Sequence, residues 1–258
     1  MHRALAHFRL GPMNLATAVS LFVFFASIWM AFLPALCRFW KWIFIVGLKY
    51  LPLNARLETV DHRLGFLRLS VPCLRMEPFL PGLQIWSFSC AVTLLVLLAT
   101  FFLPKSLVPV VYLLRAILLV ETTALIYFAL WPSLFPHTPD SYLDGLVASG
   151  IAVISIVPLL YALVYYIFDF GLAKKAFLTF LTMAHLTLFV PLQVLLQAMV
   201  LQKTILFMPL LYIIFGMPMD ILLIVGFYSW GMTWTFRSTR APLKDAFKTG
   251  WLRAFTTH

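Results

Sequence analysis

The chain has 258 residues, of which 63 % are apolar and only 11 % charged, where a soluble domain carries about 25 % charge. That balance excludes a water-covered globular fold. The net charge of +10 gathers beside apolar segments, which suits anionic lipid headgroups at about 1 kcal/mol per basic residue. It does not suit nucleic acid, because no basic-aromatic soluble module presents a groove.

Crossing a hydrocarbon core of about 30 Å takes roughly 20 apolar residues. Six stretches qualify, at about 14–35, 84–103, 107–130, 148–168, 176–200 and 204–235. The pattern predicts an all-α fold, a single polytopic membrane helix bundle over 1–258, with two further amphipathic helices in the interface. The first span has a basic start at Arg3 and Arg9, but its apolar run exceeds the roughly 7–15 residues of a signal peptide. It reads as an uncleaved anchor. Leu36, directly before Cys37, does not suit a lipoprotein cleavage site.

Residues 38–53 follow. Arg38, Lys41 and Lys49 fall within about 80° of one another on a helix, with Phe44, Val46 and Leu51 opposite and Trp40 and Trp42 nearby. This predicts an interfacial helix. A seventh span is the alternative, but it would be short and would carry Lys41 and Lys49 at membrane depth. Residues 54–83 hold Arg56, Glu58, Asp61, His62, Arg63, Arg68, Arg75 and Glu77, broken by Pro72, Pro78 and Pro81. They read as a short folded polar loop.

Cys37, Cys73 and Cys90 show no CxxC and no metal-ligand spacing. Cys90 reads as packing within a span. Cys37 and Cys73 are either ordinary thiols or, in an oxidising compartment, a disulfide.

Four ionisable residues stand well inside the spans: Arg115, Glu121, His185 and Asp220. An intramembrane charge costs at least about 2.5–3.5 kcal/mol, so each needs a partner or water. Arg115 and Glu121 are six residues apart, about 120° around a helix, and face different ways. Pairing across helices is expected instead, Arg115 with Asp220 and Glu121 with His185. Such groups either form a polar pathway or headgroup site, or fix helix register. The fifth span adds Thr182, Gln193 and Gln197, a stripe suited to interhelical hydrogen bonds, and Pro191, which predicts a kink.

The loop over 131–147 has no Lys or Arg. His137, Asp140 and Asp144 at i, i+3 and i+7 could share a helical face and hold a cation or move a proton. Pro136 and Pro139 favour the other reading, Asp140 as an N-cap. This loop and the 54–83 loop fall on one side of the membrane. Asp61 and His62 could therefore face His137 and Asp140 across a cleft suited to a phosphate headgroup.

The last stretch is too long for a simple span, about 48 Å if straight. Gly216-Met217-Pro218 predicts a kink or break, with Asp220 opening the second half; a hairpin of two short spans is the rival. Beyond it, Leu243, Phe247, Trp251 and Phe255 recur every four residues and predict a second interfacial helix over 242–256. The Lys-free 131–147 loop and the Lys174-Lys175 link place both termini in the cytoplasm, in a plasma or inner membrane. If the last stretch is a hairpin, the orientation inverts with the tail still inside.

The sequence holds no Walker A, HExxH or GxSxG motif and no paired His ligands. No cofactor or metal is expected. The first functional reading is a non-enzymatic subunit or accessory component of a larger membrane or envelope assembly, with other membrane subunits as partners. The alternatives are a small transporter or permease subunit with a midplane polar site, and a lipid-linked transferase or phosphatase working between the two loops.

Overall fold

A computed structural model describes residues 12–64, 67–167, 171–231 and 233. Six helices among them are long and apolar enough to cross a membrane. The chain is a multi-pass membrane protein and mostly helical. In order, the elements are α1 (Pro12–Tyr50), β1 (Arg56–Leu64), β2 (Leu67–Arg75), α2 (Leu83–Phe102), α3 (Val108–Leu130), α4 (Pro139–Ile167), α5 (Leu172–Leu201) and α6 (Met208–Phe215). A last helix, α7, covers 217–231.

Three sequence expectations need correction. First, the fold is not all-α: the polar loop is a β-hairpin, antiparallel from Arg56 opposite Arg75 to Leu64 opposite Leu67. β2 alternates, with Leu69, Val71 and Cys73 buried on one face and Ser70 exposed on the other, and Leu74 covered near its end, while Arg56, Glu58 and Asp61 of β1 stay exposed. Second, no separate helix occupies 38–53. Those residues continue α1 to Tyr50, through 39 residues in all. Pro34 removes one backbone bond without ending the helix, as membrane helices tolerate. Third, α4 begins at Pro139, well before the expected 148. Thr138 is its cap, accepting the Ser141 N–H on Oγ1 at 3.2 Å. The second interfacial helix, over 242–256, lies outside the described residues.

The described residues fall into two compact units. One draws on Met1–Ser27, Ile156–His185 and Ile221–His258. Its centre is the second half of α4: Tyr161 Oη lies 2.8 Å from Thr182 Oγ1 on α5 and donates to the Ile224 carbonyl of α7 at 3.3 Å. Lys175, at the start of α5, is buried and donates to the Tyr165 carbonyl at 3.1 Å. The orphan carbonyls at a helix C-terminus attract such a cation.

The other unit comprises Ile28–Ser155 and Leu186–Asp220. Here the second part of α1 buries Leu33, Leu36, Cys37, Trp40 and Phe44, a stripe at helical spacing. Phe44, read from sequence as lipid-facing, is fully covered by protein. Trp40 donates its indole N–H to the Thr187 carbonyl at 2.8 Å. That carbonyl lacks an intrahelical partner because Pro191, four residues on, has no N–H. At Gly150 α4 and α5 come so close that a Cβ would meet Val190. Trp86 of α2 donates to the Leu125 carbonyl of α3 at 2.9 Å. Ala124, Leu125 and Phe128 of α3 then pack on Ile205 and Leu206.

Candidate functional site

Two polar groupings stand out in the larger unit, and a cavity lies beside them. The first joins the hairpin to α4. Arg75, at the end of β2, donates to Asp144 Oδ2 at 2.8 Å and to Glu58 Oε2 at 3.3 Å, with Asp140 Oδ2 at 3.9 Å. Asp140 Oδ1 accepts the Met76 N–H at 2.7 Å, so Asp140 anchors the hairpin and does not cap its own helix. Burial opposes the Arg75 charge, but the Asp144, Glu58 and Asp140 carboxylates outweigh it, and the pKa stands above the ordinary value. Burial, followed by the neighbouring Asp144 carboxylate, pushes the Cys73 thiol up to about 12. Such a thiol is a poor nucleophile. All three cysteines are free.

The second grouping sits where the last span breaks. Pro218 leaves the Ile214 carbonyl without its helical donor. The backbone turns extended at Gly216 (φ −88°, ψ −152°), where a Cβ would collide with the Tyr212 carbonyl oxygen. The helix restarts as Met219 N–H reaches Gly216 O at 3.0 Å. α6 has only 8 residues, about 12 Å, too short to cross alone. By length and composition Ile205–Gly231 counts as one candidate span, interrupted at Gly216. The break frees the Phe215 carbonyl, and Gln197 of α5 donates to it at 2.7 Å. Gln197 Oε1 in turn accepts the Tyr142 hydroxyl of α4. One fully buried amide thus ties three segments together.

Two further buried polar atoms lack hydrogen-bond partners: Gln193 Nε2 on α5 and Asp220 Oδ1 just past the break. Gln193 precedes Gln197 by one turn, about 6 Å.

A cavity of about 610 Å³ opens between the first half of α4 and α6. His137, Ser141, Tyr142 and Gly145 line one side, and Met208, Tyr212 and Met217 the other. Tyr142 belongs to both the cavity wall and the Gln197 bridge.

The sequence-derived candidates separate accordingly. Asp220 is buried at the break. Arg115 donates to Thr100 Oγ1 at 3.3 Å and lies 4.8 Å from the Phe101 ring centroid, and no ion pair joins it to Asp220 among the described residues. Glu121 is buried on α3, neither of its oxygens hydrogen-bonded, so it makes no hydrogen bond to His185. His185 stacks edge-on against Phe227 at 5.0 Å. The two polar loops do meet, through Arg75 and Met76 on one side and Asp140 and Asp144 on the other. Asp61 instead accepts from Ser70, its cross-strand partner, at 2.6 Å. His137 packs against Phe135 at 5.8 Å, and the side chain of His62 lies outside the described residues.

Sequence reasoning missed Tyr142, Trp40 and the part Arg75 plays. A signal was present for Trp40: Pro191 announces an orphaned carbonyl at Thr187, which some donor must satisfy. Among the described residues no group of His, Cys, Asp and Glu is arranged to hold a metal ion. Comparison of the chain with family models, curated proteins and solved structures finds no match.

Proposed function

We propose that this protein is a non-enzymatic component of a larger membrane assembly, held there by its α2 face. The observation that supports the reading is how little of α2 is covered. About a tenth of its apolar window is buried, against half for α4 and for α5. Ser89 and Thr100 are its buried residues, while Phe88, Leu95, Leu98 and Phe101 are exposed. Lipid has no hydrophobic preference to drive helices together, so such a face associates by packing and by interhelical hydrogen bonds. The test is purification from a mild detergent. A stoichiometric membrane partner is expected, released by Leu95→Ala with Leu98→Ala, which cost the isolated chain little because both residues are exposed. A chain that purifies alone overturns the reading.

A second reading, transport of a proton or small cation, draws on the broken span. Asp220 keeps an unpartnered polar atom just past a helix interruption, the kind of place where broken membrane helices bind ions. Asp220→Asn is then expected to abolish flux in proteoliposomes while the protein still folds.

A further inference from the structure

We infer that the cavity between α4 and α6 is a binding site for one acyl chain of a membrane phospholipid. Both lining helices belong to membrane-spanning segments. Tyr212, Ile213 and Met217 on the wall are also among the exposed apolar side chains, so the mouth opens sideways, toward hydrocarbon. At about 610 Å³ the cavity has the size of an ordinary ligand pocket. From Ser141 to Ser149 it runs eight residues along α4, about 12 Å, close to the depth of one leaflet at about 15 Å.

The chemistry of the wall selects the occupant. The three hydroxyl groups that α4 contributes are already spoken for. Ser141 Oγ donates to Thr138 O at 2.9 Å, Ser149 Oγ to Leu146 O at 3.0 Å, and the Tyr142 hydroxyl to Gln197. A buried water needs two to four polar partners, and the α4 side of the wall spends its hydroxyl donors on the protein itself. At Gly145 no atom lies within 4 Å of where a Cβ would stand, so the helix surface there is left for something else to touch. An empty space of this size forfeits dispersion contacts along its whole lining. A methylene chain restores them and asks for no hydrogen bond. His137, just ahead of α4, marks the end at which the lipid headgroup sits.

The experiment uses the full-length protein in bilayers containing a phosphatidylcholine with a photoactivatable diazirine near the end of one acyl chain. Crosslinks are mapped by mass spectrometry. Labelling is expected at Tyr212 and Met217, away from the His137 end. Gly145→Leu, which fills the cavity, is expected to lower it about tenfold, equivalent to about 1.4 kcal/mol, with labelling at Leu94 and Leu95 on α2 unchanged. Ser149→Leu enters the same cavity and replaces Gly145→Leu if that variant fails to fold. Labelling at α6 that neither substitution alters overturns the proposal. So does hydroxyl-radical oxidation of Met208 and Met217 at the rate of solvent-exposed methionine, which means that water fills the space.

Discussion

The Arg75 cluster and the Gln197 bridge both fasten α4 to another part of the chain, yet they use opposite chemistry. Arg75 brings three carboxylates together where its own side chain is 29 % exposed and Glu58 is 59 % exposed. Gln197 is neutral and fully buried, and its two bonds go to Tyr142 and to the carbonyl that the Gly216 break sets free. Water can replace what Arg75 supplies, and salt can screen it. Gln197 is fully covered by protein, so no water stands ready to replace what it supplies. The comparison teaches that formal charge is a poor guide to which polar residues hold this protein together. The neutral donors buried in protein carry more.

Breaking the bridge is expected to have the largest effect. Gln197→Leu leaves the Phe215 carbonyl and the Tyr142 hydroxyl unpaired, at about 1–3 kcal/mol each. Thermal unfolding in detergent should show the loss, and Gln197→Asn should not restore it because the shorter side chain cannot reach both partners.

Next is Trp40. Trp40→Phe keeps the ring but removes the donor to Thr187 O, at about 1–3 kcal/mol. In a Pro191→Ala background residue 191 regains an N–H that can serve Thr187 O within α5. Trp40→Phe is then expected to cost clearly less there, which a double-mutant cycle measures. Equal costs in both backgrounds would assign Trp40 to packing alone.

On the other side of the comparison, Arg75→Ala is expected to cost about 1 kcal/mol, and less as ionic strength rises. A cycle with Asp144→Ala isolates the pair. Insensitivity to salt would make the cluster more like the bridge than the contrast allows.

The smallest effect concerns Cys73, whose folded-state value of about 12 stands above that of a free thiol. A raised pKa contributes stability that is complete below the unfolded value, about 8.5, and is lost as pH climbs toward 12. Stability should therefore fall in that window more steeply than for Cys73→Ala, and alkylation of Cys73 at pH 8 should require unfolding.

Span positions were legible because a membrane-crossing helix is written as a continuous apolar run, and five of the six run starts fell within four residues of the observed helices, α4 being the exception. The break at Gly216 was legible for a local reason: Pro218 lacks an N–H whatever surrounds it. The hairpin left a signal that sequence reasoning missed, the apolar alternation of Leu67, Leu69, Val71 and Cys73 in β2; Pro72 within that run argued against a strand. The continuation of α1 past Cys37 was not legible, because a basic stripe beside apolar residues reads alike whether lipid or α5 covers the apolar side. The intended partners of Arg115 and Glu121 failed for a related reason. Periodicity tells which way a side chain points on its own helix, but not what the neighbouring helix places opposite.

By itself, then, the sequence determined that this protein spans a membrane with six apolar segments, where the last of them breaks, and which carbonyls proline would leave without donors. Those are properties of the backbone and of the surrounding hydrocarbon, and they act locally. Only the tertiary structure decided that Trp40 and Gln197 supply the missing donors, that Arg75 meets Asp144, and that Gly145 faces open space. Those outcomes depend on helix register and separation, which are set by packing between residues as many as 148 positions apart, as in the bond from Asn54 to Gln202.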